Sequence, residues 1–238
     1  MSVRNAYEMP TNGDMGASET ALFAQALSAL KRRGSSVLVV GEGRDCTQLD
    51  SCRRLLGDAT AGPRHRILVS TDGGIDIDRR LPTNEPRSGS ITLIDREVKT
   101  RSAAAIQSTD SVGSISTKLV EGNGLDPLGE AISEAIGAVE AQGPLASAEL
   151  RVCIDSLSPL LEEHDERDVF EFLDALGGEI RRANAMGHVH FPVEYGVDPI
   201  ETLAPAFDAV IQLRVEDGES EQRWHLQDED ITTDWLAL

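Results

Sequence analysis

The chain has 238 residues, a formal net charge of −19 and a pI near 4.6, and only Lys31, Lys99 and Lys118 among its 22 basic residues are lysines. That length buries one substantial core, and a surface this acidic opposes binding to nucleic acid or anionic lipid, because neutralising phosphates requires positive charge. Three cysteines without a Cys-x-x-Cys pair indicate neither a disulfide framework nor a zinc knuckle. No apolar run approaches the roughly 18 residues of a spanning helix, so a cytoplasmic protein without membrane insertion is expected.

Residues 1–17 read as a flexible arm and 18–238 as a single domain. Ser18 to Arg33 carries Leu22, Ala26, Leu27 and Leu30 at helical spacing behind a Ser18 cap, and Gly34 stops that helix. Val37–Val40 is a continuous apolar, mostly β-branched run, the pattern of a strand covered on both faces. Gly41 and Gly43 follow, then a helix through about Leu56. Arg66–Ser70 and Ser90–Ile94 read as short strands. Thr100–Gly124 lacks a period and reads as loop with a short helix near Ser102–Gln107.

Leu125–Gln142 is expected as a helix with Leu128, Ile132, Ile136 and Val139 inward. The strand beginning at Arg151 ends in Asp155 and Ser156. The acidic run Leu161–Asp168 then opens a helix over Asp165–Asn184, with Val169, Phe172, Leu173, Leu176 and Ile180 on one face. His188–Phe191 is a strand ended by Pro192, and Asp208–Val215 with Arg223–Gln227 forms a hairpin around Asp217-Gly218. Strands alternating with helices predict an α/β fold: a mainly parallel central sheet, helices on both faces, and a late antiparallel hairpin.

The stretch Arg-Val-Cys-Ile-Asp-Ser (Arg151–Ser156) is written like a Walker B strand, whose terminal carboxylate holds Mg²⁺ in nucleotide-hydrolysing α/β proteins. With the strand order in place, Val37 to about Leu226 resembles the RecA-like ATPases, within them the KaiC, RadA and GvpD branch, and more narrowly the haloarchaeal HTR-like proteins. The residues carrying the resemblance are Arg151–Ser158, His188-Val-His-Phe-Pro192 and Phe207-Asp-Ala-Val-Ile-Gln-Leu-Arg214. It implies a RecA-like three-layer sandwich, with His190 as a sensor-like residue. The acidic, lysine-poor composition likewise resembles proteins of salt-loving archaea.

The chain departs from the active pattern where the chemistry would sit. No Gly-x-x-x-x-Gly-Lys-Ser/Thr occurs: in that register the second glycine is Cys46, the lysine Thr47 and the Mg²⁺-binding hydroxyl Gln48. Glu42 and Asp45 add negative charge, with Arg44 as a partial offset, and Ser70-Thr-Asp-Gly-Gly74 leaves Asp72 alone where relatives carry paired carboxylates. The resemblance therefore implies a vestigial cofactor site of Gly41, Gly43, Asp155 and Ser156, with no catalytic residue and no bound cofactor.

His188 and His190 share one strand face, yet no further ligands are evident and Cys153 is expected to point into the core, so no metal site is expected. Cys46 and Cys52 do not share a helix face well. Arg79, Arg80, Arg87, Arg181 and Arg182 read as solvated or salt-bridged. The expected function is that of a non-catalytic, pseudo-ATPase domain acting through a protein partner or a homo-oligomer in a regulatory or signalling role. The alternative is a nucleotide-binding switch or weak ATPase that uses ATP and Mg²⁺ through a nonstandard phosphate loop.

Overall fold

The computed structural model describes residues 17–41, 45–57, 63–71, 73–81, 89–97, 115–228 and 230–238. The expected arm up to residue 16, the short helix near Ser102–Gln107, and Glu42, Gly43, Arg44, Asp72 and Arg87 lie outside the described residues. The strands are β1 (Ser35–Val40), β2 (His65–Ser70), β3 (Ile91–Glu97), β4 (Ile115–Glu121), β5 (Leu150–Ile154), β6 (Met186–Phe191), β7 (Ala209–Glu216), β8 (Glu219–Leu226), β9 (Ile231–Thr232) and β10 (Leu236–Ala237). The helices are α1 (Ala17–Arg33), α2 (Asp45–Leu55), α3 (Ile77–Arg80), α4 (Leu125–Glu140), α5 (Ser158–Glu163), α6 (Glu166–Arg182) and α7 (Asp198–Leu203).

The strands form one sheet in the order β10-β8-β7-β1-β6-β5-β2-β3-β4, with β9 alongside β8. Pairing is parallel from β7 to β4 and antiparallel from β7 to β8 and beyond. The expected mainly parallel α/β sheet with a late antiparallel hairpin is thus the observed architecture, and Asp217-Gly218 makes the hairpin turn.

Alternation along the buried strands sorts the core into two layers. Leu38, Val40, Ile67, Val69, Val152, Ile154, Val189 and Phe191 meet α4 and α6 through Leu128, Ile132, Ile136, Val169, Leu173 and Ile180. On the opposite face Val37, Val39, Ile211 and Leu213 meet Phe23 and Leu30 of α1, while Leu68, Leu93 and Cys153 meet Cys52 and Leu56 beside α2. A strand buried on both faces reads as a continuous apolar run because neither set of alternating side chains reaches water.

Three sequence expectations need correction. In α1 the inward face is set by Phe23, Ala26 and Leu30, and Phe23 packs edge-on to Trp224 with ring centroids 5.9 Å apart. Leu22, expected inward, is 53% exposed. Thr100–Gly124 is not all loop, since β4 pairs in parallel with β3 as the edge strand. Of the β4 positions only Val120 is buried, so the strand shows no amphipathic period, and Lys118, on the same face as Val120, pairs with Glu134 of α4. Finally, β3 runs beyond Ile94 into Asp95, Arg96 and Glu97, which continue the ladder with Leu119, Val120 and Glu121 of β4, and the fully buried Arg96 pairs with Glu163 at the end of α5.

Breaking such a pair on one side strands a buried charge. Glu163→Ala is therefore expected to lower urea-unfolding stability by about 3 kcal/mol, and Arg96→Met in that background to recover most of the loss. Equal loss in the single and double variants would refute this account of the Arg96–Glu163 pair.

Candidate functional site

The C-terminal end of β5 places Asp155 where the chain leaves the sheet, beside the end of β2. Asp155 Oδ1 accepts from the Thr71 backbone N–H and lies within reach of the Thr71 hydroxyl, each at 2.9 Å. That hydroxyl also lies 2.7 Å from the Ser156 carbonyl, so its one proton serves two acceptors. The Asp155 amide donates to the Val69 carbonyl at 3.0 Å. Ser156 Oγ accepts from the Ser158 amide at 3.3 Å, at the start of α5. On the β2 side the Ser70 hydroxyl accepts from the Gly74 amide at 2.8 Å. These contacts are those of short polar side chains stitching strand ends to turns.

At the end of β1, Gly41 has a φ of +135°, and a Cβ there would lie 2.3 Å from the Leu213 carbonyl oxygen of β7. Its amide donates to Val193 O at 2.9 Å. Close backbone packing between neighbouring strands thus accounts for this glycine without any phosphate. The first turn of α2 then enters the fold: Thr47 is fully buried, its hydroxyl 2.9 Å from that of Ser220 on β8. Gln48 spans the gap between β1 and β6, donating from Nε2 to Gly41 O at 2.8 Å and placing Oε1 2.9 Å from His190 Nδ1.

The Gln48 amide orientation fixes a tautomer. A carbonyl only accepts, so Nε2 must face Gly41 and Oε1 must face His190; His190 therefore carries a proton on Nδ1, and in its neutral form presents a bare lone pair at Nε2. His190 is 3% exposed, and Nε2 has no hydrogen-bond partner among the described residues.

Beside His190 converge three further side chains. Strand pairing sets Cys153 of β5 level with His188 of β6, and α2 lays Cys52 across both. Cys52 Sγ lies 3.6 Å from Cys153 Sγ and 3.4 Å from His188 Nε2. One ligand atom from each of Cys52, Cys153, His188 and His190 falls within 4.8 Å of the others, and all four residues are buried. The two imidazoles meet edge to face, with centroids 5.1 Å apart. The expectation that nothing joins the histidine pair is thereby corrected: Cys153 does point into the core, and that is where His188 meets it.

Arg80, expected at the surface, turns inward instead, with Nη1 3.3 Å from Cys52 Sγ and 3.9 Å from Cys153 Sγ. Its position comes from α3, whose start Asp76 caps by accepting the Arg79 amide. The Cys153 thiol, donating to Cys52, holds that sulfur well below the ordinary thiol range despite burial, helped by His188. Burial pushes Cys153 up and His188 down. Burial also opposes charge on Arg80, but the two sulfurs and the Asp155 carboxylate outweigh it and raise the guanidinium above its usual value. The remaining described arginines of the sequence reading are ordinary: Arg181 pairs with Asp208, Arg182 with Glu140, and Arg79 is exposed.

If packing fixes Gly41, Gly41→Ala should destabilise the chain by at least about 2 kcal/mol in urea unfolding, from the positive φ together with the clash on Leu213 O. A variant as stable as the parent would return this glycine to a ligand-binding explanation.

No helix among the described residues is long and apolar enough to cross a membrane. A search of curated proteins finds no match to the chain. Residues 34–213, which run from the start of β1 into β7, match the model of a family of unknown function, DUF7504, and the chain belongs to that family.

Proposed function

We propose that this chain is a non-catalytic RecA/KaiC-like domain that acts through contacts with other proteins, in a regulatory or signalling role in a salt-rich cytoplasm. The sheet order supports the RecA-like reading, because β6, with its polar His190, lies between β1 and the Asp155-bearing strand β5. One observation carries the loss of catalysis. In the phosphate-loop register, the residue replacing the Mg²⁺-binding hydroxyl, Gln48, is bonded to Gly41 O and His190, and the residue replacing the lysine, Thr47, is buried against β8. Both side chains are committed to the fold. Asp155 is likewise engaged by Thr71.

A groove of about 730 Å³ between α4 and α6 supplies a surface for a partner. Its floor holds Phe172 and Leu176, and Asp126, Glu130, Asp168 and Glu171 line it. Charge complementarity fits it to a basic, partly apolar segment of another protein. At molar salt the Debye length is only about 3 Å, so the apolar floor would carry most of that affinity.

Isothermal calorimetry with ATP or ADP and Mg²⁺ in molar KCl is expected to give no micromolar binding. Micromolar binding that disappears in Asp155→Ala would overturn this reading in favour of a nucleotide switch.

A further inference from the structure

We infer that Cys52, Cys153, His188 and His190 form a closed, four-coordinate zinc site that clamps α2 onto β5 and β6. The donor set is two thiolates and two imidazoles, the borderline-soft combination that suits a structural Zn²⁺. Zn–S and Zn–N bonds of about 2.3 and 2.0 Å in a tetrahedron put donor atoms about 3.3–3.8 Å apart. The observed 3.6 Å between the sulfurs and 3.4 Å from Cys52 Sγ to His188 Nε2 already lie in that range. The full set, within 4.8 Å, needs only small side-chain rotations to close on one ion.

Two features beyond the donor spacing point to a ligand. The first is the bare, buried Nε2 of His190, which among the described residues has no hydrogen-bond partner and belongs to a residue 3% exposed. An imidazole lone pair left alone in a core is unfavourable, and a cation satisfies it. The second is Gln48, which accepts the Nδ1 proton of the same ring. Metal-binding histidines are held in this way, with the remote N–H given to a carbonyl so that the free nitrogen faces the ion. Arg80 completes the surroundings by donating toward the sulfurs.

The charges also balance. Two thiolates cancel the dication, and the Asp155 carboxylate offsets the Arg80 guanidinium. With four protein donors and every ligand buried, no position is left open for water or substrate, so the site is structural and the ion enters as the chain folds. Cys46, exposed on the outer side of α2, takes no part.

The test is to unfold the full chain in guanidinium with a chelator under reducing conditions and refold it in molar KCl with Co²⁺. One equivalent of Co²⁺ should give the intense visible bands of a tetrahedral ion with a thiolate-to-metal transition in the near ultraviolet. One equivalent of Zn²⁺ should then erase them. The spectrum should survive Cys46→Ala and be lost in Cys52→Ala and Cys153→Ala. Because those two variants remove core side chains, Gln48→Leu provides a second arm: it should keep the tetrahedral spectrum while weakening zinc about 10–100-fold in a chelator competition. A parent chain that refolds with native circular dichroism but shows no thiolate–cobalt transition would overturn the site, and so would a Cys52–Cys153 disulfide in the protein purified without oxidant or a spectrum unchanged in folded Cys52→Ala.

Discussion

Helix α2 is drawn into the sheet along its whole inner face, and the chemistry of the strand ends follows from that docking. At its start Thr47 reaches β8 and Gln48 bridges β1 and β6; in its middle Ser51 and Cys52 are almost fully enclosed. At its end Arg66 donates to the carbonyls of Leu56 and Gly57 at 3.2 Å each, and Arg151 donates to that of Leu55 at 3.1 Å. Cations there face the negative end of the helix dipole. The arrangement carries strain, since burial and then the charges of Arg64 and Arg66 bring Arg151 down to about 10. A helix held at start, middle and end offers its inward side chains to the core, and a ligand at the strand ends would have to compete with those contacts.

The same docking gives separate residues one explanation. Gly41 lacks a side chain because β7 leaves it no room, and Gln48 then takes the Gly41 carbonyl as one of its two anchors. The other anchor fixes the His190 ring. Asp155, one strand further along, ties the end of β2 to β5 through Thr71 and adds its charge to the field around Arg80. Gln48 and Asp155, where the sequence resembles a worn nucleotide site, are thus the outer support of a compact sulfur–imidazole cluster on the same, α2-covered face of the sheet.

Much of the scaffold was legible in the residues. The unbroken apolar run Val37–Val40 of β1 and the helical spacing of Leu128, Ile132, Ile136 and Val139 are direct signatures of burial. Strand β4 was hidden because an edge strand with one buried position carries no period. The position of Asp155 at a strand end was readable, whereas its partner Thr71 lies across the sheet and depends on how β2 pairs with β5. The cysteine–histidine cluster was unreadable for a related reason. Its ligands come from one helix and two strands, and only the i, i+2 spacing of His188 and His190 leaves a trace in sequence. Placing β5 beside β6 in parallel register would have set Cys153 opposite His188, but no residue pattern announces where a helix such as α2 comes to rest.

Strand β1 sits at the middle of the sheet, yet both of its neighbours are encoded late: Val37 pairs with His188 on one side and Ala209 on the other. As the chain leaves the ribosome, this wholly buried strand therefore emerges early and waits, with both edges unpaired, until most of the sheet has been made. Non-local pairing of this kind is slow and aggregation-exposed. The centre of the sheet is therefore among the last places to be closed, when β6 and β7 arrive.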